Sequence, residues 1–151
     1  GSGPFPTELK DETGELLRKA GNEFGSTTGR PRRCGWLDLV ALKYSIMING
    51  VTEMIMMKAD VLDQFDTIKI CVGYEINGEL VDTIPYEITD DLRPVYIDLP
   101  GWKTDLTQIT RQQDFPEAFS QYIDFIEKET GVPITIASVG PNRNQTIQLR
   151  K

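Results

Sequence analysis

The sequence contains no histidine. That removes the commonest general base and the commonest metal ligand together, so any chemistry must rest on Asp, Glu, Lys or another chain. No apolar run approaches the length of a membrane-spanning helix, and no signal-peptide pattern opens the chain. Cysteine is scarce: Cys34 and Cys71 are the only two. They form no Cys-x-x-Cys pair, and the expectation is two reduced thiols in a cytoplasmic protein. No Walker-type glycine loop occurs, and no internal repeat or low-complexity tract is present. Basic residues number 16 against 23 acidic ones, a net charge of −7. That balance argues against general binding to nucleic acid or to a membrane surface.

What remains is a chain of 151 residues, 39% apolar and 26% charged, long enough for one ordinary globular domain with a real core. Asp11 to about Asn22 reads as a helix with Leu16, Leu17 and Ala20 on its apolar side. Trp36 to Ile48 reads as a helix apolar almost all round, a pattern that predicts burial. Thr52 to Met57 reads as a short buried strand, with its methionines as core filling. Thr67 to Ile76 alternates, Asn77-Gly78 follows, and Glu79-Leu80-Val81 returns, which predicts a hairpin with a type I′ turn. Val95–Leu99 is a further strand. Asp114 is placed to cap a helix running to about Thr130, with Phe115, Phe119, Tyr122, Ile123 and Ile126 as its stripe and Gly131 as its stop. Pro133 to Ile136 is a last short strand. The expected class is α/β, a mixed sheet with packed helices, and ligands of such sheets bind at the carboxyl ends of strands.

Three constellations could carry chemistry. In Gly25-Ser26-Thr27-Thr28-Gly29-Arg30-Pro31-Arg32-Arg33, three arginines fall within four positions of an otherwise acidic chain. Glycine lets a backbone approach a ligand, Thr27 and Thr28 offer hydroxyls, and guanidinium forks match carboxylate or phosphate. An oxyanion-binding loop and a solvated basic turn are both compatible with this composition, and the restriction that Pro31 imposes favours the former. In Lys58-Ala59-Asp60, at a strand end, alternation would put Lys58 and Asp60 on one face. A carboxylate can accept from guanine N1–H and the N2 amine at once, which adenine cannot match. Ala137-Ser138-Val139-Gly140-Pro141 leaves a buried strand, where backbone N–H groups could meet an acceptor such as guanine O6. Read singly, each of the last two is better explained without a ligand, Lys58–Asp60 as a strand end meeting water and Ala137–Pro141 as a turn that merely ends its strand. Asp38, Asp63 and Asp66 match no metal-loop spacing and read as caps or surface groups.

Taken in register, these pieces resemble adenylosuccinate synthetase over essentially the whole chain. Gly3-Pro-Phe-Pro-Thr-Glu8, Gly25 to Trp36, Lys58-Ala-Asp-Val-Leu-Asp63, Leu99-Pro-Gly-Trp102 and Val139-Gly-Pro-Asn-Arg143 are all similar to family segments, and the arginine loop is the most specific. Pro31 departs from the family pattern, which often carries a basic residue there. The first segment is taken as internal to a longer native chain, so the resemblance implies residues 1–151 as a C-terminal portion of a larger P-loop-like nucleotide-binding fold.

The family is a GTP-dependent ligase of purine (AMP) biosynthesis that joins IMP and L-aspartate, with Mg²⁺. By resemblance, Ser26, Thr27, Thr28, Gly29, Arg30, Pro31 and Arg32 bind aspartate and IMP. Arg32 also reaches the GTP side. Lys58, Ala59 and Asp60 hold guanine, with Ser138, Val139 and Gly140 over its other edge. No catalytic residue and no Mg²⁺ ligand is expected in this portion, which is expected to be inactive alone, and the full enzyme is expected to be a cytoplasmic homodimer. A non-catalytic guanine-nucleotide-binding module is the alternative, and it would give the arginine loop no role.

Overall fold

The structure, a computed structural model, describes residues 2–150; Gly1 and Lys151 lie outside them. The elements in chain order are α1 (Glu12–Ala20), β1 (Leu37–Asp38), α2 (Leu39–Asn49), β2 (Met54–Met56), β3 (Thr67–Ile76), β4 (Glu79–Val81), β5 (Arg93–Pro100), α3 (Glu117–Thr130), β6 (Ile134–Ser138) and β7 (Thr146–Gln148). Single turns of 3-10 helix occur at Ala59–Leu62, Leu106–Gln108 and Gln112–Asp114. The chain divides into two compact units. The first takes in residues up to Ser45 with Lys69–Asp98, and the second Ile46–Ile68 with residues from Leu99 onward.

In the first unit β3 is the hub of a sheet, pairing with β1 (parallel), β4 (antiparallel) and β5. The expected hairpin is present: Ile76 pairs with Glu79, and Asn77 and Gly78 both take positive φ (52° and 79°), as a type I′ turn requires. Val40, Cys71, Tyr74 and Leu92 form the core here, with Ile76, Val81, Ile84 and Tyr96 packed on it. Helix α1 begins at Asp11, whose carboxylate accepts from the Gly14 N–H, and it carries acidic residues in its first turn and basic ones in its last.

In the second unit β6 is the middle strand of three, parallel to β2 and antiparallel to β7. Phe119, Tyr122, Ile123 and Ile126 of α3 are buried as their spacing predicts, and Gly131 ends the helix in the left-handed region. Trp102 sits against Phe119 and Tyr122, with ring centroids 4.9 and 5.7 Å apart.

Several expectations need correction. Residues Leu37 and Asp38 are strand, not the first turn of α2. Only Leu39 and Val40 of α2 are buried, while Tyr44, Met47 and Ile48 are exposed, Met47 at 70%. Strand β2 is an edge strand with Ile55 56% exposed, and Met57, just past its end, is 67% exposed, so the methionines of this segment are not all core. Apolar composition measures what a segment would bury, not whether anything lies opposite it. Asp114 does not cap α3: it lies in a 3-10 turn and pairs with Arg111 at 2.9 Å, and Pro116, extended at ψ 143°, takes the cap position. Proline fixes φ, and the Pro116 carbonyl takes the Phe119 and Ser120 N–H groups, so the helix opens there with no side-chain cap. Strand β6 runs to Ser138, two residues beyond the expected end, because β7 pairs with it there; β7 itself is too short to show in the sequence pattern.

Candidate functional site

The arginine loop lies in the first unit and is closed at its base. Phe24 and Pro31 form an antiparallel bridge. The Gly25 N–H donates to the Arg30 carbonyl at 2.8 Å, and the Gly29 N–H to the Gly25 carbonyl at 2.8 Å. Gly29 holds the reversal at φ 65°, where a side chain would be strained. The Arg30 N–H meets the Thr28 hydroxyl at 3.4 Å. Ser26, Thr27, Thr28, Gly29, Arg30, Pro31 and Arg32 are all exposed.

The three arginines, alike in sequence, differ in space. Arg33 donates to Glu8 at 3.0 Å and to the Gly3 carbonyl at 2.7 Å, and lies over the Phe5 ring. Its hydrogen bond holds the Glu8 carboxyl below the usual range. Arg32 is paired with Glu23 at 2.8 Å, and its carbonyl accepts from Arg18 at 2.8 Å. The Arg30 guanidinium has no hydrogen-bond or ion-pair partner among the described residues. Arg33 therefore anchors the loop, Arg32 is held by an exposed ion pair, and the Arg30 guanidinium stands without such a contact among the described residues.

The other candidate residues lie in the second unit, at the end of the parallel pair β2 and β6. Their ladder runs out at Met56 opposite Ala137, so the segments leaving both strands emerge on the same side. One is Lys58, Ala59 and Asp60; the other is Ser138, Val139 and Gly140. The 3-10 turn Ala59–Leu62 packs on β6, with Ala59 buried. Sequence reasoning paired Lys58 with Asp60 by strand alternation, and that basis is wrong. The strand ends at Met56, Lys58 is left-handed at φ 54°, and Asp60 is in the 3-10 turn. A left-handed lysine is an uncommon backbone state that concentrates at functional sites. The Asp60 carboxylate is half-buried and has no hydrogen-bond or ion-pair partner among the described residues.

In the segment that leaves β6, the buried Ser138 hydroxyl donates to the Gly140 carbonyl at 3.3 Å. The Val139 N–H donates to the Gln145 carbonyl at 2.9 Å, so this N–H, expected to face a ligand, is already engaged. Gly140 lies flat on the Gln145 side chain: a Cβ there would sit 2.3 Å from Gln145 Oε1.

Two residues that sequence reasoning did not select tie these segments together. Asp63, one turn after Asp60, accepts from Trp102 Nε1 at 2.7 Å and from the Leu106 N–H at 2.9 Å. Burial pushes its carboxyl above the usual range, against the pull of those two donors. Gln145 accepts from the Asn142 N–H at 2.9 Å and donates to the Thr107 carbonyl at 3.2 Å. Asp38 is a cap, as expected, accepting from the Ala41 N–H at 3.2 Å, and Asp66 pairs with Lys103 at 3.2 Å. An open polar groove of about 800 Å³ lies between Arg111, Gln112, Gln148 and Arg150, and none of the candidate residues lines it.

A family model described as adenylosuccinate synthetase matches residues 1–147. The chain belongs to the adenylosuccinate synthetase family. It is 62% identical over 148 residues to the adenylosuccinate synthetase of Phocaeicola vulgatus, covering 98% of this chain and 35% of that relative. It is 62% identical over 147 residues to the one from Bacteroides fragilis, covering 97% of this chain and 35% of the relative. Among solved structures, a fully ligated adenylosuccinate synthetase from Plasmodium falciparum superposes with a TM-score of 0.93 at 40% identity, over 99% of this chain and 37% of that one. The chain thus spans about a third of the length of the relatives it matches. The mixed α/β class expected from sequence is the one observed, as part of the larger P-loop-like fold of this family. No helix of the described residues is long and apolar enough to cross a membrane.

Proposed function

We propose that this chain is the C-terminal portion of an adenylosuccinate synthetase, a GTP-dependent ligase of AMP biosynthesis that joins IMP and L-aspartate. The observation that carries the reading is the half-buried Asp60 carboxylate, without a hydrogen-bond or ion-pair partner among the described residues, in the segment leaving β2 on the same side as Ser138–Gly140 leaves β6. A carboxylate can accept from two donors side by side. The guanine N1–H and N2 amine are a matched pair of donors, while adenine offers none at N1. Lys58 lays its stem along the base, and Ser138, Val139 and Gly140 close over its other edge.

In this reading the loop from Ser26 to Arg32 receives L-aspartate. Thr27, Thr28 and the loop N–H groups face its carboxylates, Arg30 bridges to IMP, and Arg32 serves the GTP side after leaving Glu23. GTP phosphorylates O6 of IMP, and the aspartate amine displaces that phosphate. Mg²⁺ neutralises phosphate charge, and its ligands belong to the rest of the protein, as do the catalytic groups. The full-length protein is a cytoplasmic homodimer, and this portion alone is inactive.

The test is binding of GTP or GDP, with ATP as control, by the full-length protein and by the isolated chain. Guanine-selective binding abolished by Asp60→Ala is expected in the full-length protein. Unchanged selectivity in that variant overturns the assignment of the base site, and adenylosuccinate formation by the isolated chain overturns the claim of inactivity.

A further inference from the structure

We propose that Asp63 is a positioning residue for guanine recognition, working through the turn Leu106–Gln108, which braces both walls of the base site. This rests on the reading of Asp60 given above.

The turn that carries Asp60 spans only Ala59–Leu62. A single 3-10 turn fixes several backbone angles for very few hydrogen bonds and does not hold its shape alone. It is entered through Lys58 at φ 54°, a conformation that surrounding structure must enforce. Asp63 supplies that enforcement. Its N–H closes on the Asp60 carbonyl at 3.1 Å. Each of its carboxylate oxygens takes a separate donor, Oδ1 the Trp102 indole and Oδ2 the Leu106 N–H. Both donors belong to buried residues, Leu106 completely so, and Trp102 is packed between Phe119 and Tyr122 of α3. The turn is therefore pinned to buried core residues.

The same Leu106–Gln108 turn holds the opposite wall. Its Thr107 carbonyl accepts from the Gln145 side chain, whose Oε1 takes the Asn142 N–H, while the Gln145 carbonyl takes the Val139 N–H. Asp105 caps the turn, accepting from the Thr107 N–H at 3.0 Å. Hydrogen bonds thus run from Asp60 through Asp63 to Leu106 and, after the peptide link to Thr107, through Gln145 to Val139. Bidentate recognition tolerates little displacement of the carboxylate, so spacing between the walls is what this brace sets. A simple cap would not need both oxygens of a half-buried carboxylate near Asp60 and Asp105, which repel it.

The test is steady-state kinetics of the full-length protein with GTP and with ITP, which lacks the N2 amine. Asp63→Ala is expected to raise KM for GTP about tenfold, the loss of a charge-assisted hydrogen bond. The preference for GTP over ITP should shrink while kcat holds, and Asp63→Asn should recover part of the loss. Trp102→Phe, which keeps the ring packing and removes one donor, should shift KM the same way by less; it serves if Asp63→Ala does not fold. Unchanged KM and unchanged GTP/ITP preference in a folded Asp63 or Trp102 variant, with only a lower Tm, overturn the proposal. Asp60→Ala run in parallel separates the causes. If it loses the preference while the Asp63 and Trp102 variants keep it, only the brace falls. If it too keeps the preference, the base-site reading falls and the brace with it.

Discussion

Tyr74, completely buried in β3, donates its phenol hydrogen to the Asp38 carboxylate, which also accepts from the Ala41 N–H at the start of α2. One carboxylate thus joins the sheet to the helix that follows β1. Burial, with Asp38 adding to it, drives the Tyr74 phenol well above its usual range, so it stays a donor at all ordinary pH. Tyr74→Phe is expected to cost about 1 kcal/mol, and Asp38→Ala about 2 kcal/mol because it also removes the cap and strands a buried hydroxyl. Denaturant unfolding of the two variants should rank them in that order.

Asp63 and Glu8 should shift stability with pH in opposite directions. The native Asp63 carboxyl is raised by burial, so the native state holds this proton more tightly than the unfolded chain. Its contribution is present below the ordinary aspartate range and is lost as pH rises through the raised value. Glu8 is lowered by Arg33, so its contribution is present above the ordinary glutamate range and is lost as pH falls through the lowered value. The stability difference between the native protein and Asp63→Asn should therefore shrink with rising pH, while that against Glu8→Gln should grow. Unfolding curves across the acidic range check both slopes.

The two thiols should be separable. Cys71 is fully buried, and burial pushes its thiol up to about 11, while Cys34 is only half-buried. A thiol reagent at mildly alkaline pH should modify Cys34 in the folded chain and reach Cys71 only on unfolding. Two equally fast reactions would mean that the core around Tyr74 and Leu92 opens readily.

Within the arginine loop, function and anchoring should divide between residues. Arg30→Ala in the full-length protein is expected to raise KM for aspartate or IMP roughly tenfold or more. Arg33→Ala should leave those values in place and lower thermal stability, since Arg33 is committed to Glu8 and Gly3. Kinetics and melting curves on the same preparations read the two effects independently.

The outer face of α2 should make the isolated chain adhesive. Tyr44, Met47 and Ile48 stand exposed on one helix in a chain that spans about 35% of its relatives' length. Exposed apolar clusters of this kind drive association. Met47→Lys with Ile48→Lys is expected to reduce self-association in sedimentation experiments without changing the helical signal.

The sequence by itself determined what local chemistry can specify. Asn77-Gly78 set the hairpin because only residues tolerant of positive φ fit that turn. The spacing of Phe119, Tyr122, Ile123 and Ile126 set α3 and its buried face. The motifs from Gly3 to Arg143 carried the family. Tertiary structure decided what depends on partners distant in the chain. Arg30, Arg32 and Arg33 look equivalent in a string, and it is Glu23 for Arg32, and Glu8, Gly3 and Phe5 for Arg33, that tell them apart. Asp63 shows its role only where Trp102 and Leu106 come to it. Helix α2 reads as buried, yet burial requires an opposing surface. Periodicity encodes the face a segment offers; the donors, counter-ions and surfaces that meet it are fixed only when the chain closes on itself.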